Sequence, residues 1–463
     1  MRTLISNGHI ITATDDYMGD ILIEDERIAA LGSPGAFVAA QVDSVTDARG
    51  KYIFPGAIDV HTHMELPLPT TVASDDFETG TIAAACGGTT TILDFANQQR
   101  GHTLDEALQS WHRKAGGKAV IDYGFHMTIT DLAAAPEEAM DEMIGAGVTT
   151  FKLLMAYPGT FMVDDETIYR VLRRSARLGG LVMVHAENGI AIDFIVREAV
   201  AAGHSAPFYH AMTRPAMLEG EATQRAITLA TLTDAPVYIV HVSCAYSLRA
   251  VAAARVKGLP VWGETCPQYL YLDDSCYLRP GFEGARFVCT PPMRSDADRE
   301  ALWVGLQRHE LQVVSTDHAP FNFKGQKEIG LHDFTRIPNG LPGVEHRVML
   351  MYDAVRTGKL DIHHFVDLLC TMPAKLFGLF PRKGTIAPGS DADLVIFDPE
   401  REMTISVANQ HQRVDYTPYE GMPVQGVPDM VLLRGRVIVK DGQYVGGEGG
   451  GKFLARKTFE APE

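Results

Sequence analysis

The sequence predicts an α/β chain, a (β/α)8 TIM-type barrel with a β-sandwich domain formed by both termini. Three observations predict it. Strand-like and helix-like segments alternate through the middle of the chain, short β patterns occupy both ends, and polar residues interrupt five of the apolar strands at the same end. With 463 residues, 46% of them hydrophobic, the chain can bury one large core and a smaller one.

Residues 1–54 form the first part of the sandwich. Apolar runs (Leu4-Ile5, His9-Ile10-Ile11, Ile21-Leu22-Ile23, Ile28 to Leu31) are separated by Asn7-Gly8 and Asp15-Asp16, which read as turns between short antiparallel strands. Residues 55–381 form the barrel. Its expected strands are 57–63, 89–96, 123–130, 149–155, 181–187, 237–243, 260–265 and 311–317, rich in Val, Ile, Thr and Phe. Helical periodicity fills the gaps, as in Leu104 to Trp111 and Thr167 to Leu172, with glycine stops at Gly87-Gly88 and Gly179-Gly180. An open doubly wound sheet shares this alternation, but eight units of this spacing favour closure. No Gly-x-Gly-x-x-Gly opens a helix after the first strand, which removes the main support for dinucleotide binding. Residues 382–440 complete the sandwich through Asp391 to Phe397 and Met430 to Val439, because the termini of compact proteins often meet. Residues 441–463 are a C-terminal tail, flexible in composition around Gly446 to Gly451.

Charge and composition exclude several classes. Forty-one Lys and Arg against 58 Asp and Glu give a net charge of -17, which repels phosphate backbones and anionic lipid, so no nucleic-acid or membrane partner is expected. No apolar stretch has the length of a membrane span, and Met1 to Ser6 leads into polar residues, so a cytoplasmic protein is expected. Six cysteines are scattered without a CxxC spacing and are expected to be reduced, buried fillers.

The chemistry gathers at strand ends. The first barrel strand runs through Gly56-Ala57-Ile58-Asp59-Val60 into His61-Thr62-His63, and strand alternation puts both imidazoles on one face. An isolated His-x-His is weak. Lys152, His185, His241 and Asp317 interrupt the fourth, fifth, sixth and eighth strands at the same rim, where barrel enzymes place their catalytic groups. Any one of them has a bland explanation, such as a buried His bonded to a carbonyl or an Asp capping a loop; jointly they point to a metal centre. Four imidazoles and a carboxylate exceed what one catalytic zinc with an open position uses, so two ions fit better. A bridging ammonium would repel both cations. If the neutral amine of Lys152 adds carbon dioxide, the resulting carbamate gains a negative charge and an oxygen for each ion.

These residues carry a resemblance. His61-Thr62-His63, Lys152 to Tyr157, His185-Ala186-Glu187-Asn188, His241-Val242-Ser243 and Ser315 to His318 closely resemble the dihydropyrimidinase and hydantoinase branch of the amidohydrolase superfamily. Thr290-Pro291-Pro292, Ile337 to Gly340, Gly343 to Arg347, Phe380 to Ile386 and Gly389 to Asp393 extend the match over nearly the whole chain. The resemblance implies two zinc ions per chain, bridged by Lys152 as N6-carboxylysine and by hydroxide. His61, His63 and Asp317 would hold the more buried ion, and His185 and His241 the more exposed one. It also implies hydrolysis of a small cyclic ureide or imide, opening dihydropyrimidine or 5-substituted hydantoin rings to N-carbamoyl amino acids. Tyr157 would face the substrate carbonyl, main-chain groups at Thr290 and Asn339 would grip the ring amide, and the assembly would be a homotetramer. Many relatives have Ser where this chain has Thr290, a small change if the contact is main-chain.

In the expected mechanism the metals acidify a water to hydroxide, Tyr157 stabilises the oxyanion, and Asp317 carries a proton to the leaving nitrogen. His126 and His318 are expected to support ligands, and His102, His112, His204, His210, His309, His332, His363, His364 and His411 to be solvated or locally hydrogen-bonded. The loops after the first, second and fourth strands are expected to line the entrance with Leu66, Leu68, Phe161 and Met162. Two alternatives stay open. Another ring-opening amidohydrolase, an allantoinase or a dihydroorotase, would use the same centre, and a dihydroorotase would need a cationic anchor, for which Arg100 is the basic candidate in those loops. A non-enzymatic scaffold relative would have lost metal ligands, and all six positions are present here.

Overall fold

The β-branched and aromatic runs in the middle of the chain pair in parallel, because each is apolar on both faces and is followed by a helix that covers it. The computed structural model describes residues 1–133 and 137–462. Its eight-stranded sheet runs Ala57–Thr62, Thr89–Asn97, Asp122–Thr128, Thr150–Leu154, Leu181–His185, Val237–Ile239, Val261–Thr265 and Val313–Val314, each beside its sequence neighbour. A bridge between Thr62 and His318 and a 2.8 Å bond from His63 N–H to the His318 carbonyl bring the first and last strands together. Below that point Arg347, fully buried, donates to the carbonyls of Ile58 and Val314, both at 2.9 Å. One guanidinium thus does what a ladder would do elsewhere in the barrel.

Local signals set the helices. Thr103 and Glu106 cap Leu104–Ala115 reciprocally, and Asp164 accepts from Thr167 N–H to start Asp165–Leu178, which stops at Gly179 with φ 68°. The sixth and eighth strands are shorter than periodicity predicts: the ladder ends at Ile239 and at Val314, before His241 and Asp317. Both residues hold left-handed φ, 38° and 53°, so the chain bends where extended pairing was expected to continue.

A second sheet is built from both ends of the chain. It has nine strands, in which Leu394–Thr404 lies against Tyr52–Pro55, which in turn pairs with Arg2–Ile11. Asn7-Gly8 is not a turn here. Arg2–Ile11 is one strand with a register shift between Ile5 and Gly8, and Asn7 takes φ 61° at that bulge. The sheet meets the barrel through a buried ion cluster in which Lys383 Nζ lies 2.6 Å from Asp122, 2.5 Å from Asp393 and 3.2 Å from Asp391.

The glycine-rich tail is also different from its composition. Main-chain bonds tie Lys452 and Leu454 to Tyr123, Arg456 to Gly147 and Phe459 to Gly179, at the end of the barrel away from the strand C-termini. A Cβ on Gly451 would stand 1.9 Å from the Ile121 carbonyl oxygen, so this glycine permits close approach and does not mark a loose linker.

Candidate metal centre and substrate cavity

All nine residues expected at the site line one cavity of about 800 Å³ at the C-terminal mouth of the barrel. His61, His241 and Asp317 offer donor atoms within 4.8 Å of one another. Asp317 Oδ1 lies 3.2 Å from His61 Nε2 and 3.1 Å from His63 Nε2. Neighbouring ligand atoms on a tetrahedral ion with legs of ~2.0–2.1 Å stand about 3.3 Å apart, so this spacing suits donors that share a cation. The His185 and His241 rings are 4.6 Å apart between centroids, and Tyr157 lies 5.7 Å from His185.

The ring nitrogens favour the same reading. His61 Nδ1 faces Glu264 Oε1 at 2.5 Å and His185 Nε2 faces Glu187 Oε2 at 2.8 Å, so each imidazole turns its other nitrogen towards the site. A carboxylate behind the imidazole is the usual support of a metal-ligating histidine. The Nδ1 atoms of His63 and His241 are buried with no protein partner among the described residues. Burial holds His63 and His241 below the ordinary imidazole range, which favours the neutral form that binds metals. At His61 burial works the same way, but Asp317 and Glu264 outweigh it and push the group up to about 9. The imidazoles of His61 and His63 in turn hold Asp317 well below its usual value against burial. Lys152, whose Nζ lies 5.1 Å from the Phe95 ring centroid, is pulled down to about 8 by burial, which raises its share of neutral amine. The donor set therefore fits a metal centre.

Three further observations were not anticipated. Glu264 interrupts an apolar strand just as the other rim residues do, and that same signal would have found it. Glu187, two residues after His185, is fully buried behind it. Tyr157, like His241 and Asp317, holds a positive φ, 65°, a strained backbone that no pattern in the sequence announces.

On the cavity wall, Asn339 Nδ2 donates to Thr290 Oγ1 at 2.9 Å, and burial pushes the Tyr157 hydroxyl up to about 12. Leu66, Leu68 and Phe161 line the entrance, whereas Met162 lies outside it. Arg100 also lines the cavity, but its guanidinium donates to the carbonyls of Thr160 and Met162 at 2.9 and 2.7 Å and so ties two entrance loops together. His126 bonds the Val60 carbonyl and His318 bonds Asp75, each supporting a ligand-bearing segment. His210 is not solvated: it is buried, with Nε2 2.8 Å from the Cys289 carbonyl oxygen.

The model of the amidohydrolase family matches residues 52–438. A D-hydantoinase of Streptomyces coelicolor is 51% identical over 461 residues, covering 99% of both chains. A D-phenylhydantoinase of Escherichia coli is 42% identical over 466 residues, covering 100% of each. The crystal structure of dihydropyrimidinase from Brevibacillus agri superposes with a TM-score of 0.97 at 49% identity over 100% of both chains. The L-hydantoinase (dihydropyrimidinase) of Arthrobacter aurescens gives a TM-score of 0.88 at 29% identity, covering 98% of this chain and 99% of that one. On the fold, the cavity at the strand ends and these full-length similarities, the chain belongs to the amidohydrolase family.

Proposed function

We propose that this protein is a metal-dependent cyclic-amide hydrolase that opens 5-substituted hydantoin or dihydropyrimidine rings to N-carbamoyl amino acids. One observation carries the reading: a single cavity is lined by four imidazoles, a lysine and an aspartate together with Tyr157, Thr290 and Asn339. The full-length similarity to proteins named D-hydantoinase and dihydropyrimidinase supports the same chemistry, and the higher identity to the D-hydantoinase supports a D preference.

In this reading His61, His63 and Asp317 would hold one zinc ion, His185 and His241 would hold a second, and Lys152, carboxylated on Nζ, would add anionic oxygen ligands to the centre. When bound, the ions supply a hydroxide nucleophile at neutral pH and polarise the reacting carbonyl. The Tyr157 hydroxyl donates to that carbonyl oxygen and strengthens its bond as negative charge develops there. Asp317 Oδ accepts the nucleophile's proton and returns it to the ring nitrogen as the C–N bond breaks, because an amide nitrogen leaves poorly unless protonated. Leu66, Leu68 and Phe161 exclude water around the ring substituent. Arg100 is committed to two carbonyls, which disfavours a carboxylate-bearing substrate such as dihydroorotate. Exposed Ile190, Phe194 and Val200 on Gly189–Ala201, with Met217 on Ala216–Leu232, support assembly into a homo-oligomer, which we take to be a tetramer. Among the described residues no helix is long and apolar enough to cross a membrane, and the reading places the enzyme in the cytoplasm.

The test is metal content per chain beside hydrolysis of dihydrouracil, a racemic 5-substituted hydantoin, allantoin and dihydroorotate on one preparation. About two zinc per chain and opening of the first two rings, with D-configured product, is the expected result. A chain that stays inert after reconstitution with zinc and bicarbonate would overturn it.

A further inference from the structure

Lys327 lies just behind the substrate cavity, fully buried, in the short helical turn Lys327–Gly330. Its Nζ donates to three main-chain carbonyls: Val288 at 2.7 Å, Pro338 at 2.8 Å and Gly340 at 2.8 Å. Among the described residues no carboxylate pairs with it. Burial disfavours such an ammonium, so the three carbonyl bonds must offset a large desolvation cost. Three acceptors at this range also require three N–H donors, which the ammonium provides and an apolar side chain does not.

The three carbonyls are not scattered. Val288 is two residues before Thr290, and Pro338 and Gly340 flank Asn339, so one ammonium clamps the two segments that bring Thr290 and Asn339 to the cavity wall. Gly340 N–H closes the same cluster by donating to the Val288 carbonyl at 3.1 Å. Gly340 has φ 143°, and a Cβ there would stand 2.3 Å from the Ala319 carbonyl oxygen, so the segment also needs glycine to sit this close. In a trans peptide the N–H points opposite to the C=O. Holding the Pro338 carbonyl towards Lys327 therefore turns the Asn339 N–H away from it, and among the described residues that N–H has no protein acceptor. The Thr290 N–H has none either.

We propose that Lys327 is a positioning residue for substrate binding, which clamps segments 288–290 and 338–340 together and aims the polar groups of Thr290 and Asn339 into the cavity. The inference rests on the cyclic-amide reading above. Lys327 touches no substrate and no reacting atom; it acts through the two segments it holds. Loss of the clamp weakens the grip on the ring without removing a metal ligand or the Tyr157 hydroxyl. The Michaelis constant then rises while turnover stays near that of the parent enzyme, the signature of lost uniform binding.

The experiment compares the metal-loaded wild type with Lys327→Met, which keeps the length but cannot donate, and Lys327→Gln, which keeps two donors on a shorter stem. Metal per chain, thermal midpoint, kcat and KM for a 5-substituted hydantoin are measured on each. The expected result is unchanged metal content, kcat within about threefold, and KM raised about tenfold in Lys327→Met and by less in Lys327→Gln. A KM within about twofold of wild type in a folded, metal-loaded variant overturns the inference, as does kcat falling in step with metal content. Failure of both variants to fold also overturns it, because Lys327 would then serve the fold and not the grip. A wild type that opens no ring overturns the functional reading first, an outcome separate from an active wild type whose variants bind substrate normally.

Discussion

Glu264 joins three otherwise separate features of the site. It is fully buried; Oε1 lies 2.5 Å from His61 Nδ1 and accepts the His241 N–H at 3.3 Å, while Oε2 accepts the Tyr238 hydroxyl at 2.9 Å. Its charge holds a proton on His61 Nδ1 and so leaves Nε2 to face Asp317. Glu264→Gln keeps the shape but removes the charge. The expected outcome is about 10–100-fold weaker metal binding with little change in fold, checked by competition with a chelator and by circular dichroism. At this scale much of the site was legible before any coordinates: burying a His, Lys or Asp inside an apolar strand is costly, so such interruptions stand out. Glu264 obeys the same rule.

Among the elements, the C-terminal segment departs most from its composition. Residues 451–459 run beneath the barrel, with Leu454 fully buried and the Arg456 guanidinium bonded to Thr150 Oγ1 at 2.7 Å. Leu454→Ala is expected to cost about 2–5 kcal/mol through lost burial and the cavity left behind. Gly451→Ala is expected to destabilise as well, since the neighbouring atom is a backbone carbonyl that cannot rotate away. Thermal unfolding checks both, and KM stays at the wild-type value in each because this segment lies at the end of the barrel opposite the cavity. Composition predicted looseness because glycine suits flexible linkers and tight contacts equally well, and only the neighbour decides which.

For the whole molecule, the question is what locks the terminal sheet to the barrel. Besides the Lys383 cluster, the loop between Leu394–Thr404 and Pro423–Leu433 returns to the barrel, where His411 Nδ1 sits 2.7 Å from Glu345 Oε1. Hydrogen bonding with Cys86 and Glu345 outweighs burial and raises His411 from 6.5 to about 10. A histidine whose folded value lies above its unfolded one stabilises fully below the unfolded value, and that contribution is lost as pH rises through about 10. The urea midpoint is therefore expected to fall between pH 6.5 and 10, and His411→Gln is expected to flatten that slope. A slope unchanged by the substitution would remove His411 from this account.

The sequence by itself determined the eight parallel strands, the joining of both termini in one sheet, and which polar side chains stand at the mouth. These follow from local periodicity and from the cost of burying polar groups, both of which are written along the chain. Tertiary structure alone decided that His241 and Asp317 leave their strands on strained left-handed backbone, that Asn7-Gly8 is a bulge, and that Lys327 gathers carbonyls from two distant segments. Those features depend on how closely separate stretches approach when the barrel closes, and a linear pattern carries no record of that distance.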